Sequence, residues 1–136
     1  MNFDDITDKD LEYLCKLKKI VSNPKINWKE KPGHKQKDFY VHSEKDEFIF
    51  RLYTRQNTLI EDDFSCGLAV VKPDGQSLTI CRYNGSGHIH GEFIFICHIH
   101  KSTEITIKSG KKPESHAEKT LKYKTLTGAL YQLSID

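Results

Sequence analysis

Between residues 38 and 100 the chain is a series of short β-prone runs separated by turn-forming clusters, and this rhythm constrains the fold most. Residues 48–56 alternate: Phe48, Phe50 and Leu52 share one face of an extended strand, while Ile49, Arg51, Tyr53 and Arg55 share the other. A run over 38–43 precedes it, joined by the charged turn Glu44-Lys45-Asp46. Runs over 64–72 and 77–83 flank Pro73-Asp74-Gly75, a hairpin turn between β-like segments. Asn84-Gly85-Ser86-Gly87 turns the chain again. A last run over 92–100 places Phe93, Phe95, Cys97 and Ile99 on one face, with Ile94, Ile96, His98 and His100 on the other. Earlier, Ile26-Asn27-Trp28 reads as a short strand and Lys31-Pro32-Gly33-His34 as a turn.

Helical signals flank these strands. Thr7 has the character of an N-cap, with Asp10 three residues on as a variant of the capping box. Leu11, Leu14, Cys15, Leu17, Lys18 and Val21 follow at three- and four-residue spacing, which predicts a helix over 7–22 closed by Pro24. Residues 103–109 fit a helix capped by Ser102 or Thr103 and ended by Gly110. Residues 111–124 read as a polar connection, and Thr125 or Thr127 caps a final helix through Ala129, Leu130 and Leu133. The order implies a single α+β domain over 1–136. Its expected form is a curved antiparallel sheet or partial barrel of about six strands, with an N-terminal helix and a short C-terminal one.

At 136 residues the chain suits one domain able to bury a modest core. Its apolar runs fall far short of the ~20 residues that span a bilayer, and no charged-then-apolar leader opens it. The four cysteines, Cys15, Cys66, Cys81 and Cys97, are scattered without a C-x-x-C pair, which predicts reduced thiols and a cytoplasmic protein. The net charge of +2 hides an uneven distribution. Eight lysines lie between Lys16 and Lys37 against the single acid Glu30, and seven lie between Lys101 and Lys124 against Glu104, Glu114 and Glu118. Such segments are either solvated surface or phosphate-facing.

Chemistry concentrates in residues 81–104, C-R-Y-N-G-S-G-H-I-H-G-E-F-I-F-I-C-H-I-H-K-S-T-E, where four of the seven histidines form two H-x-H pairs. The turn between them decides their geometry. Centred on Gly87, it throws His98 and His100 about 30 Å from His88. Centred on Gly91 and Glu92, it pairs His90 with Phe93, His88 with Phe95 and Gly85 with His98, and it sets Tyr83 opposite His100. No cofactor is expected, although zinc held by one H-x-H pair is conceivable. A structural site would want four ligands and a catalytic one three, and Cys97 should point away from His98. The alternative is metal-free cleavage of RNA. His98 and His100 would act as base and acid, and Arg82 would hold the phosphate. Tyr83, His88, Asn84 and Lys101 would contact the substrate. Against both stands the plainer reading of strand-surface histidines. His34, His42 and His116 are expected in loops and on exposed strand faces, and Arg51, Tyr53 and Arg55 are secondary candidates for substrate or partner contact.

The segments R-Y-N-G, H-I-H, C-H-I-H-K-S-T-E and G-K-K-P-E-S-H-A-E resemble a family of small uncharacterised proteins of bacterial genomes and mobile elements. The tyrosine, glycine and histidine pattern is also similar to small toxins of toxin–antitoxin modules, which are compact α+β proteins that commonly act on RNA. The resemblance implies that Arg82, Tyr83, His88, His98 and His100 are the positions to carry over. It also implies an RNA-directed or phage-defence context, with RNA or an antitoxin as partner. The alternative is a non-enzymatic interaction protein, such as a phage-encoded inhibitor of a bacterial defence nuclease complex, in which the basic segments or the acidic N-terminus make the contact; a zinc-stabilised binding module is the third. The resemblance leaves the oligomeric state open.

Overall fold

A computed structural model of the protein describes residues 1–45, 47–87, 89–90, 93–94, 97–110 and 117–136. After a 3-10 turn (Phe3–Asp5), Thr7 starts helix α1 (Asp8–Lys16) through a complete capping box. The Thr7 hydroxyl accepts from the Asp10 amide and the Asp10 carboxylate accepts from the Thr7 amide, both at 3.1 Å. The helix buries Leu11 and Leu14.

It is shorter than the predicted span of 7–22. The Lys19 ammonium donates to the carbonyls of Leu14, Cys15 and Leu17 at 2.6, 2.9 and 2.9 Å, satisfying the helix end. The β-branched pair Ile20 and Val21 then enters strand β1 (Lys19–Val21), paired to residues 41–43. A ladder formed far along the chain thus overrides the helical spacing. The strand expected at 26–28 lies instead at β2 (Lys29–Lys31), where residues 29–31 pair with His34 to Gln36, while Trp28 packs against the core. The Lys35 and Lys37 ammonium groups each lie 4.7 Å from the Trp28 ring centre. Gly33, with φ of 81°, carries the turn into β3 (His34–Ser43).

The central strands fall where alternation placed them: β4 (Ile49–Asn57), β5 (Phe64–Val71) and β6 (Ser77–Asn84). The run expected over 92–100 is divided. A separate hairpin pairs β7 (Ile89–His90) with β8 (Phe93–Ile94), and β9 (His98–Lys101) joins the main sheet. Helix α2 (Glu104–Lys108), capped by Thr103, follows as expected. Part of the expected polar connection is a strand, β10 (Ala117–Lys119), drawn to the free edge of β9. Thr125 caps the last helix, α3 (Leu126–Ile135).

The architecture is a single small α+β domain around an open, curved, antiparallel sheet, which among the described residues has eight strands where about six were expected. The order is β1-β3-β4-β5-β6-β9-β10, with β2 also on β3. Strand β5 is central and buried from Phe64 through Val70. Tyr83 stacks on Tyr123 at 5.8 Å, beside α3, so Tyr83, Cys66 and Leu68 belong to the helix-covered face. Two reciprocal bonds tie α1 to α2. The Asp8 amide donates to the Glu104 carboxylate at 3.1 Å, and the Glu104 amide donates to the Asp8 carboxylate at 2.9 Å. Among the described residues no helix is long and apolar enough to cross a membrane.

Candidate functional site: the polar face of the sheet

Pairing between β6 and β9 brings the arginine–tyrosine segment beside the second histidine pair. Arg82 lies opposite His100, Tyr83 opposite Ile99, Asn84 opposite His98 and Cys81 opposite Lys101. The register differs by one residue from the expected one, which set Tyr83 against His100 and Gly85 against His98. The hairpin does pair His90 with Phe93 as expected, but it forms its own sheet, so its register does not continue into β6 and β9. A one-residue slip exchanges faces. Arg82 and His100 are therefore neighbours, and Tyr83 lies on the helix side.

The expected site accordingly splits in two. Arg82, Asn84 and His100 belong to the polar face. Tyr83, 1 % exposed, is part of the core; its hydroxyl donates to the Asp136 carboxylate. Burial and then that carboxylate push its phenol well above the usual range. Lys101 is on the helix side too, at the mouth of a cavity beside α1 and α3. His88 and His116 lie outside the described residues, as does the expected pairing of His88 with Phe95. Among the described residues no cluster of three or more His, Cys, Asp or Glu is placed to hold a metal.

On the polar face the ladders align into continuous rows. One runs Lys29, Gln36, Arg55, Ser65, Asn84, His98, Lys119 across seven strands without an acidic residue. At roughly 4.8 Å per strand it is about 29 Å long. The next runs Asp38, Tyr53, Gly67, Arg82, His100, Ala117. Gly67 holds the key to this second row. A Cβ there would sit 2.2 Å from the Tyr53 hydroxyl, so the missing side chain lets the Tyr53 ring lie over β5, towards the strand that carries Arg82.

Arg51 extends the face. Its guanidinium stands 5.6 Å from the Tyr53 ring centre and 3.7 Å from the Asp38 carboxylate. Arg55 pairs with Asp63 at 3.4 Å, and Asp63 also accepts from the Asn57 amide at 2.9 Å. Asn84 and His100 are buried, while Arg82 is half-buried. The face therefore offers fixed guanidinium groups and one braced aromatic ring. Strand alternation had already placed Arg51, Tyr53 and Arg55 together. It missed Gly67, whose signal was a glycine inside a strand, and it missed Lys29, Ser65 and Lys119, whose shared row depends on strand order.

No protein-family model matches the chain, and no curated protein and no solved structure matches it either.

Proposed function

We propose that the protein acts on RNA in the cytoplasm, taking an extended single strand across the polar face of its sheet. The observation that carries this reading is the acid-free row from Lys29 to Lys119 lying beside the row of Tyr53, Arg82 and His100. Sheet faces recognise single-stranded RNA by stacking bases on aromatic rings and meeting phosphates with cations. Here Tyr53 is the stacking ring, Arg82 and Arg55 hold phosphates, and Lys29 and Lys119 stand at the outer strands; Ser65 and Asn84, in the middle of the row, are buried and do not touch the RNA. All four cysteines are free thiols, in keeping with a reducing compartment.

A cleaving form of this reading uses His98 and His100 as base and acid with Arg82 on the phosphate. A general acid or base must come within hydrogen-bond reach of the substrate, and His100 is fully buried. That burial favours binding over cleavage and gives His100 the task of positioning Arg82 across the ladder. The test is titration of labelled single-stranded RNA, duplex RNA and duplex DNA at low salt, followed by incubation with total RNA in excess chelator. Preferential single-strand binding that falls in Tyr53→Ala and Arg82→Ala supports the proposal; absence of binding ends it. Cleavage that survives the chelator and is lost in His98→Ala would establish the cleaving form.

A second reading rests on a separate observation. Ile20, His42 and Ile49 form one row at the β1 end of the same face, next to Tyr40. Ile20, Ile49 and Tyr40 are 43, 57 and 59 % exposed. Exposed apolar groups gathered this way suit a protein partner, such as an antitoxin or a nuclease complex. A stoichiometric partner captured from bacterial lysate and lost in Ile49→Asp, with no RNA binding, favours this reading.

A further inference from the structure

We propose that the cavity enclosed by α1, α3 and the helix side of the sheet binds a small uncharged molecule that is mostly hydrocarbon. Its volume is about 440 Å³, within the range of pockets that enclose small ligands. The site stands on the opposite side of the sheet from Arg82 and His100, so nothing in the RNA reading uses it.

The walls are apolar, with Leu11 from α1, Leu68 and Ile80 from the sheet and Leu133 from α3. Cys15 and Cys81 add two thiols, both raised by burial and so neutral near pH 7, where they pack as small hydrophobes. Water against such walls finds few hydrogen-bond partners, whereas an apolar molecule gains by covering them.

The polar groups at the rim are engaged with the protein itself. The Ser102 hydroxyl donates to the Thr79 carbonyl at 2.5 Å, and the Thr103 hydroxyl accepts from the Thr106 amide at 3.2 Å. Glu12 pairs with Lys16 at 2.6 Å, and Asp8 accepts from the Glu104 amide at 2.9 Å. Asp136 accepts from the Tyr83 hydroxyl and faces Lys122 at 3.9 Å, and the charge of Lys101 also acts on it. Both signs of charge line this rim, so it favours neither ion. A carboxylate entering here meets Asp8, Glu12 and Asp136, and an ammonium meets Lys16 and Lys101. Either head would leave water for groups that are already engaged, a cost that an uncharged ligand avoids.

Calorimetric titration of the full chain with 1-octanol, octanoate and octylamine tests this, because at neutral pH the three share one apolar body and differ in charge. Saturable binding of octanol is expected, with octanoate and octylamine each at least about tenfold weaker. Octanol should also slow the reaction of Cys15 with a disulfide reagent in native protein, since it would lie against that thiol. Leu133→Trp, which fills the cavity from α3, should abolish octanol binding in protein that circular dichroism shows to be folded. No saturable octanol binding to the unmodified protein overturns the proposal. So does a charged probe that binds as tightly as octanol, octanol binding that leaves the rate at Cys15 unchanged, or full-strength binding to folded Leu133→Trp.

Discussion

Asp8 and Glu104, ninety-six residues apart, cap each other: each carboxylate accepts the other's amide, and each is the first residue of its helix. Two positive helix ends meet here, and the two carboxylates offset that repulsion. Asp8→Ala should cost about 1 kcal/mol in urea unfolding, whereas Asp8→Asn, which keeps an acceptor oxygen, should cost a few tenths. Equal losses for the two substitutions would show that the bond to the Glu104 amide contributes nothing.

Gly67 and Tyr53 occupy one space. Gly67→Ala forces the Tyr53 ring away, since both its hydroxyl and its Cζ lie within 2.3 Å of the new carbon. A loss of about 1–3 kcal/mol is expected. Adding Tyr53→Ala should recover part of it, a non-additivity that a double-mutant cycle measures directly. Independent effects of the two changes would refute the packing relation.

The bond from Tyr83 to Asp136 makes stability depend on pH at both ends. Burial opposes the charge of Asp136, but hydrogen bonds from Tyr83 and Gln132 and the charges of Lys122 and Lys101 outweigh it and lower its pKa. A carboxyl depressed on folding stabilises fully above its unfolded value, near about 4, and the gain is lost as pH falls through the folded value. The raised phenol of Tyr83 acts oppositely, with stability full below about pH 10 and lost as pH rises through the folded value. Tyr83→Phe should therefore flatten both limbs of the stability profile and cost about 1–2 kcal/mol near neutrality. An unchanged acid limb would mean that the hydrogen bond does not hold the carboxylate.

Thiol reactivity should follow burial. Burial pushes Cys66 and Cys81 up to about 12, whereas Cys15 is raised but only half-buried. In native protein at about pH 8, a disulfide reagent should modify Cys15 first. Cys66 and Cys81 should react only as fast as the protein opens. Mass mapping of the first-labelled residue decides the order; early labelling of Cys81 would contradict the packing around β6.

If Arg82 meets an RNA phosphate, Arg82→Ala should weaken single-strand binding about tenfold. It should also reduce the slope of log affinity against log salt by about 0.7. An affinity loss with an unchanged salt slope would assign Arg82 a structural role instead.

By itself the amino-acid sequence determined what is decided over a few residues. The Thr7–Asp10 capping box, the glycine turn at Gly33, the hairpin at Gly75 and the alternation through 48–56 follow from backbone preference and side-chain period. The α+β class and the gathering of Arg51, Tyr53 and Arg55 on one face came from those signals. Tertiary structure decided whatever depends on which strand lies beside which. Ile20 and Val21 leave a helix-like spacing because β3 offers them a ladder, and 117–119 becomes a strand because β9 has a free edge. Arg82 rather than Tyr83 stands across from His100, since a shift of one residue exchanges the faces of a strand. The row from Lys29 to Lys119, the cavity over Ile80 and the Asp8–Glu104 pair join residues distant in the chain. Their proximity arises only when the sheet closes its ladders and buries apolar surface, a balance that no local pattern records.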